Sequence, residues 1–228
     1  ARNFGIEKSK GKYIYFFDSD DILLPTALEE TYNKCEKDNL DLCFFDADIF
    51  YDGDNLHLCY DYLRCSLLED KIYKGIDILQ VLLSIGKFRV APWLYLIKKS
   101  FLIEINLHYE RTTHEDELFS SLLYLQANKV GFVPKVFFMR RIRESSVVTS
   151  LFSDKNLKAY FFIVDNLMKY SNGKDPIIKS VVNYLCKNII NNAVYRANKL
   201  KVNKRIYCVK EVFFRYLKFI KFKSILVC

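Results

Sequence analysis

The order of apolar and polar residues at the start of the chain predicts a helix, a turn and a strand. Residues 1–10 have helical spacing, and Gly11 stands where such a helix would end. Residues 13–17 form an uninterrupted apolar and aromatic run. A run of this kind predicts a strand that is buried on both faces in a parallel sheet.

Three carboxylates follow that strand directly: Asp18, Asp20 and Asp21. They lie at the strand end where open α/β sheets bind ligands, and their mutual repulsion calls for a counter-charge. Mn²⁺ or Mg²⁺ suits hard carboxylate oxygens and often shares them with substrate phosphates. The alternative is that the carboxylates cap the next helix, where Pro25 fits the first turn. The spacing alone leaves both interpretations open.

Helices and strands alternate through the rest of the first 143 residues. The pattern predicts helices over 26–37, 74–85 and 118–128, strands over 40–51, 130–133 and 136–139, and a hairpin that returns over 56–62. The first of these helices should bury Leu28, Tyr32 and Cys35. In the strand over 40–51, Asp46 and Asp48 alternate with apolar residues, and both are expected to face solvent.

From residue 151 onward the pattern changes to helices alone, over 153–171, 175–200 and 202–223. The last helix is basic and amphipathic. One face should carry Lys210, Arg215, Lys218 and Lys221, and the other Val209, Val212, Phe213, Tyr216 and Ile220. Such a helix is typical of a membrane interface, although it could instead pack on the body of the protein. Nucleic acid is disfavoured as a partner, because the aromatic residues are not interleaved with the cations.

Charge separates the same two regions. Residues 1–150 carry 19 Lys or Arg against 23 Asp or Glu, whereas residues 151–228 carry 16 against 4. The whole chain of 228 residues is 51% hydrophobic and 16% aromatic, which excludes a disordered chain, and its net charge is +8. We therefore predict an α/β domain over residues 1–150 and a basic helical extension over residues 151–228.

Cysteine usage and apolar run lengths bear on location. The seven cysteines include no C-x-x-C pair, which favours reduced thiols over a disulfide framework or a zinc site. No signal peptide is evident, and the longest uncharged stretch, residues 118–128, is far shorter than the ~20 residues of a spanning helix. We expect a cytoplasmic protein, peripheral on the cytoplasmic face of the membrane.

A second acidic cluster, Thr113-His114-Glu115-Asp116-Glu117, precedes the apolar helix over 118–128. Thr113 is a suitable cap, and acidic residues in a first turn favour the helix dipole. That explanation suffices for Glu117. His114 next to carboxylates could act as a base or metal ligand, but a hydrogen bond at the helix start is the favoured interpretation.

Several of these residues together resemble the family-2 glycosyltransferases of GT-A fold. The resemblance covers about residues 1–150 and lies in Ala1-Arg2-Asn3, Gly5-Ile6, Gly11, Tyr13-Ile14 and the Phe17–Asp21 block. It implies an α/β fold with a mixed, Rossmann-like sheet, followed here by an all-α extension. The chain opens in the middle of the motif, so the first nucleotide-binding half is expected to be missing.

The resemblance also implies roles for individual residues. Asp20 would be the metal ligand, with Asp18 on the ribose or metal side and Asp21 in support. Asp116 would be the catalytic base, with Glu115 as its neighbour. Arg143 would face the diphosphate, and Arg2 and Asn3 would approach the nucleotide. Trp93 would lie near the acceptor sugar, although burial in the core accounts for it at least as well.

The function implied is transfer of a hexose from a nucleotide-diphosphate sugar, expected to be a UDP-sugar, with inversion at the anomeric carbon. The acceptor would be a glycan or a lipid-linked molecule in surface polysaccharide biosynthesis. The alternative is a non-catalytic, membrane-peripheral remnant or scaffold of such an enzyme, which binds the membrane through the basic helix near the carboxyl terminus.

Overall fold

The computed structural model describes residues 1–53, 60–143 and 152–220. They divide into two compact units. The first contains Ala1–Tyr109 and Phe119–Thr149, and the second contains Glu110–Leu118 and Ser150–Cys228. The elements of the first unit are α1 (Arg2–Lys8), β1 (Tyr13–Tyr15), β2 (Ile22–Leu23), α2 (Ala27–Asp38), β3 (Leu42–Asp52), α3 (Gly75–Ser84), β4 (Tyr95–Lys98), α4 (Lys99–Glu104) and β5 (Val130–Arg143). The division between the units falls within α5 (Glu115–Gln126).

The first unit is built on a mixed five-stranded sheet with the strand order β1-β4-β3-β5-β2. Among the described strands, β3 and β5 are the only parallel pair, and β4 joins β1 to β3 by antiparallel pairing. The residues of β3 from Leu42 to Ala47 are all buried. Phe44 of β3 stacks on Phe132 of β5, with ring centroids 4.8 Å apart. The central parallel pair is therefore the core of this unit.

The expected placement of the first strand is wrong. The strand β1 has only three residues, pairs only with β4 and in antiparallel orientation, and lies at one end of the described sheet. Of its residues only Ile14 is buried, and Phe17 beyond it is 48% exposed. An aromatic-rich run has the same composition at a sheet edge as at the centre, so the pattern did not distinguish them.

The two strands predicted on either side of Pro134 are a single strand, β5. The ladder with β3 shifts register at this point, because Phe45 pairs with Val133 and Asp46 pairs with Val136. Pro134 and Lys135 therefore form a bulge and are both exposed. Proline has no N–H to donate to a ladder, and a bulge is the place in a strand where none is required.

Contrary to the prediction, Asp46 does not face solvent. It is fully buried, and its carboxylate accepts hydrogen bonds from the backbone N–H groups of Arg64 and Cys65, both at 2.8 Å. The Nε of Arg64 lies 2.9 Å from Asp46 Oδ1, and its guanidinium also donates to the carbonyl of Phe45. The expectation failed because the partner of this charge is 18 residues away in an irregular segment. Asp48 is exposed, as predicted.

Two further details differ from the prediction. In α2 the buried residues are Ala27, Thr31 and Cys35, whereas Leu28 and Tyr32 are each almost half exposed. The predicted hairpin over 52–62 lies largely outside the described residues, and residues 60–62 are not in a strand. The described cysteines, Cys35, Cys43, Cys65, Cys186 and Cys208, are all free thiols.

Residues 152–220, which the structure describes in the second unit, are mostly helical, as predicted, and the end of the helix predicted over 202–223 lies outside the described residues. The helices are α6 (Asp154–Ser171), α7 (Pro176–Ala197) and α8 (Val202–Glu211), followed by a π-helical turn over Val212–Tyr216 and a 3₁₀ turn over Leu217–Phe219. Both α6 and α7 bury long apolar faces, and α6 begins with a capping box between Ser153 and Asn156. Across residues 1–53, 60–143 and 152–220, no helix has an apolar run sufficient to span a lipid bilayer.

Gly75 provides a test of how the start of α3 packs against the backbone at the end of α5. A Cβ atom at Gly75 would lie 2.2 Å from the carbonyl oxygen of Tyr124 and 2.6 Å from that of Ala127. Because both contacts are with backbone, we expect Gly75→Ala to lower the free energy of unfolding by about 1–3 kcal/mol in urea denaturation. The control is Gly5→Ala in α1, where the added atom meets nothing within 4 Å. Equal stability of the two variants would contradict this packing.

Candidate functional site

The acidic loop after β1 is held against β5. The backbone N–H of Asp21 donates to the carbonyl of Asp18 at 3.2 Å, which closes a turn. Asp21 Oδ1 accepts a hydrogen bond from the backbone N–H of Arg141 at 2.7 Å. Asp21 is half-buried, and this burial raises the pKa of its carboxyl group. The hydrogen bond from the Arg141 N–H lowers the pKa, but the negative charges of Asp20 and Asp18 raise it further. Asp21 therefore anchors the loop, while Asp18 is exposed.

The Asp20 carboxylate forms an ion pair with Arg143, at 2.9 Å between Oδ2 and Nη2. The structure thus brings together two residues predicted separately as a metal ligand and a diphosphate-binding residue. Both side chains are substantially exposed, 36% for Asp20 and 51% for Arg143. An exposed pair of this kind contributes about 0–1 kcal/mol, so its partners can exchange it for a ligand at little cost.

An arginine that the sequence analysis did not single out as a site residue lies beside this loop. The Arg140 guanidinium lies 4.8 Å above the ring of Tyr60 and donates a hydrogen bond to the hydroxyl of Tyr62. Its charge lowers the pKa of Asp21, although burial outweighs this effect. No local signal could have identified this group, because the two tyrosines lie outside any helix or strand.

Trp93 is part of the core beneath this group. It is 5% exposed and stacks on Phe138 with ring centroids 4.3 Å apart. Its carbonyl accepts a hydrogen bond from the hydroxyl of Tyr15 at 2.8 Å. The core explanation for this tryptophan is therefore what the structure supports.

Asn3 and Arg2 both contact Tyr109. The side-chain amide of Asn3 donates to the Tyr109 carbonyl and accepts from the Tyr109 N–H, each at 2.8 Å. The guanidinium of Arg2 lies 5.0 Å from the centre of the Tyr109 ring. The Asn3 amide thus fixes α1 to the segment before Glu110, a structural role that the sequence did not reveal. Contact of Arg2 and Asn3 with a nucleotide stays a prediction.

In the second unit, the other acidic cluster forms the first turn of α5, which begins at Glu115. His114 precedes it with φ of 61°, a left-handed conformation that is uncommon for a residue with a side chain. The His114 ring stacks on Tyr160 at 4.6 Å, and its Nε2 lies 3.0 Å from the Asn156 amide. The predicted hydrogen bond of this histidine at the helix start is confirmed.

Glu117 has a property that its position in a first helical turn did not predict. Burial raises the pKa of its carboxyl to about 7, and the negative charge of Asp116 contributes to the rise. Its backbone N–H donates to the carbonyl of His114 at 3.0 Å. Asp116 and Glu115 are both half-buried in the same turn. The cluster therefore contains a carboxyl group whose pKa is raised to about 7.

The acidic loop of the first unit suits a divalent cation in its chemistry. Within residues 1–53, 60–143 and 152–220, however, no group of three or more His, Cys, Asp or Glu side chains is arranged to hold a metal ion. Asp21 uses one oxygen on Arg141, which leaves Asp18 and Asp20 as the better donors. Mg²⁺ commonly binds one or two carboxylates together with substrate phosphates, so these two residues fit such an ion.

Comparison with known proteins gives concordant results for sequence and fold. Residues 1–58 match the family model described as glycosyl transferase family 2. A cholesterol galactosyltransferase of Borreliella burgdorferi is 28% identical over 161 residues, which cover 66% of this chain and 43% of that protein. The glycosyltransferase GlyG of Streptococcus pneumoniae is 26% identical over 156 residues, which cover 67% of this chain and 51% of that protein.

A solved structure extends the likeness beyond the matched sequence. Residues 1–349 of S. aureus TarS, crystallised in complex with UDP, superpose with a TM-score of 0.67 at 12% identity, and the match covers 99% of this chain and 61% of that one. The chain spans about half the length of the curated relatives that it matches. The resemblance found in the sequence is confirmed: residues 1–58 match the model of the family-2 glycosyltransferases, and the fold is of the GT-A type.

Proposed function

We propose that this protein transfers a sugar from a nucleotide-diphosphate donor to an acceptor hydroxyl, with inversion at the anomeric carbon. One observation carries the proposal. The acidic loop, which lies within the family match, is fixed by the Asp21–Arg141 hydrogen bond and pairs Asp20 with Arg143. It combines carboxylates for a cation with a guanidinium for phosphate.

Donor binding would exchange the partners of the Asp20–Arg143 pair. The planar guanidinium of Arg143 matches phosphate oxygens in two-point hydrogen bonding, and its transfer to the diphosphate frees the Asp20 carboxylate. Mn²⁺ or Mg²⁺, held by Asp20 and Asp18, would neutralise the charge that develops on the departing diphosphate. Asp21 stays on Arg141 and keeps the loop in place. The low cost of separating an exposed ion pair makes this exchange feasible.

The acceptor requires a base. When its hydroxyl oxygen bonds to the anomeric carbon, the bond from that carbon to the diphosphate oxygen breaks, and the hydroxyl proton must leave. We propose Asp116 as the group that takes this proton, with Glu115 as its neighbour in the same helical turn. Glu117 has a pKa of about 7 and follows Asp116 directly, so its protonated form spares Asp116 a second adjacent negative charge.

The relatives support a choice of donor and of acceptor. Because the TarS structure contains UDP, we propose a UDP-hexose as donor. The Borreliella relative is named for transfer of galactose to cholesterol, a lipid, which supports a lipid or lipid-linked acceptor, and we propose a glycan as the alternative. We further propose a role in surface polysaccharide biosynthesis at the cytoplasmic face of the membrane.

The metal proposal predicts that UDP binding depends on Mn²⁺. Titration calorimetry of the full chain should show affinity for UDP that falls about tenfold or more on addition of EDTA, because a charged ligand contact is lost. Asp20→Asn should cause a similar loss in the presence of Mn²⁺. The control, Asp48→Asn, removes an exposed carboxylate on β3 and should bind normally. UDP affinity that is indifferent to the chelator would rule out this metal site.

The assignment of the base predicts a separation of binding from chemistry. Asp116→Asn should lower kcat by about 10²–10⁴-fold, because the amide cannot accept the proton, and should leave the affinity for UDP unchanged. The assay is transfer of labelled sugar from a UDP-hexose by the full chain. Asp77→Asn, in the first turn of α3, is the control and should retain activity. Normal turnover by the Asp116 variant would remove Asp116 as the base.

Glu117 predicts a pH-dependent stability. Its folded pKa of about 7 exceeds the usual 4.5, so between these values the folded state binds more protons than the unfolded state. Stability should therefore fall as pH rises from about 4.5 to 7. The melting temperature of Glu117→Gln should equal that of the original protein at pH 4 and exceed it at pH 8. Glu29→Gln, at an exposed first-turn position of α2, should show no such divergence.

A further inference from the structure

The outward face of α8 carries a row of exposed apolar side chains. Val202, Ile206 and Val209 follow one another at helical spacing and are 67%, 52% and 42% exposed. The row continues beyond α8 with Phe213, Phe214 and Leu217, which are 61%, 79% and 44% exposed. We call these six residues the outer stripe. Exposed apolar side chains scattered singly need no explanation, but six on one side of a short helical segment do.

The outer stripe is not the surface by which this segment packs. The buried residues here are Cys208, Val212, Tyr216 and Phe219, each at most 3% exposed. The hydroxyl of Tyr216 donates to Asp165 Oδ1 of α6 at 2.8 Å, and its ring stacks on Phe161 at 5.2 Å. The predicted apolar face was therefore wrong in part, because Val209 and Phe213 belong to the outer stripe. Packing of the segment is complete without it.

Cations flank the outer stripe. Arg205 and Lys210 line the same shallow groove as Val202, Ile206 and Val209. Beyond the groove, Lys201 and Lys218 are also exposed. The surrounding sequence from 151 to 228 holds 16 basic against 4 acidic residues. A ligand that covers the stripe must therefore offer an apolar interior bordered by negative charge.

We propose that the outer stripe docks on the surface of an anionic lipid bilayer, with Phe213, Phe214 and Ile206 inserted among the acyl chains and Lys210 at the headgroups. This inference does not depend on the proposed glycosyl transfer. An amphipathic helix of basic and apolar residues is the structure that binds in this manner. Nucleic acid is a poorer partner, because four of the six residues of the outer stripe are aliphatic and offer bases no stacking surface, and the two phenylalanines are adjacent rather than interleaved with cations.

The electrostatic and apolar contributions to membrane binding differ in the loss of affinity that each substitution should cause. Attraction of about 1 kcal/mol per basic side chain near an anionic surface corresponds to about fivefold in the partition coefficient. Loss of a half-inserted Ile and a Phe should cost tenfold or more. The electrostatic part weakens with salt, whereas the apolar part does not. If the outer stripe docks on a membrane, removing a basic side chain and removing apolar side chains should each lower the affinity for vesicles.

The test is co-sedimentation of the full chain with phosphatidylcholine vesicles that contain about a third phosphatidylglycerol. We expect binding that is weak on pure phosphatidylcholine and decreases with salt. Ile206→Ser combined with Phe213→Ser should lower binding tenfold or more, and Lys210→Gln about fivefold. The matched controls are Ile103→Ser and Lys10→Gln, which change exposed residues of the first unit. Circular dichroism confirms that each variant is folded.

Three outcomes would overturn the proposal. Undiminished vesicle binding by the Ile206/Phe213 variant would show that the stripe is not inserted. Absence of vesicle binding, together with a dimer mass in sedimentation that the same variant abolishes, would assign the stripe to a second copy of the chain. Binding to homopolymeric RNA but not to vesicles would assign the surface to nucleic acid. UDP is absent from all these assays, so failure here leaves the donor-binding tests unaffected.

Discussion

The first unit depends on a charge buried in the middle of its sheet. Asp46 lies at the register shift between β3 and β5 and is satisfied entirely by Arg64 and the N–H of Cys65. Removing one partner of such a pair typically costs 3–5 kcal/mol, because the other charge stays buried. The pair fixes the segment that presents Tyr62, and Tyr62 holds Arg140 beside the acidic loop. The site is therefore built outward from an internal ion pair.

Long helices and the positions of β3 and β5 could be predicted from the sequence, whereas the pairing of the strands could not. The bounds of α3, α6 and α7 follow from apolar spacing that repeats over several turns and from clear end signals. Strand pairing depends on residues far apart in sequence. Nothing in an alternating apolar and polar strand distinguishes an aspartate that meets water from one that meets an arginine 18 residues on, as Asp46 does.

The place of the acidic loop was predictable, but its contacts were not. A run of carboxylates after a strand located the loop, and the resemblance to a known family gave Asp20, Asp116 and Arg143 their expected roles. The Asp20–Arg143 contact and the raised pKa of Glu117 depend on burial and on three-dimensional proximity, which spacing does not encode. For Asn3, the resemblance implied a contact with the nucleotide, whereas the structure shows its side chain joining α1 to the backbone of Tyr109.

The π-helical turn over Val212–Tyr216 contains both buried and exposed side chains. A π turn accommodates one residue more than an α turn, so it rotates the side chains that follow. Tyr216 packs against α6, whereas Phe213 and Phe214 are exposed. A change at Tyr216 would therefore disturb the contact with α6, whereas a change at Phe213 or Phe214 would alter only what the surface offers to its surroundings.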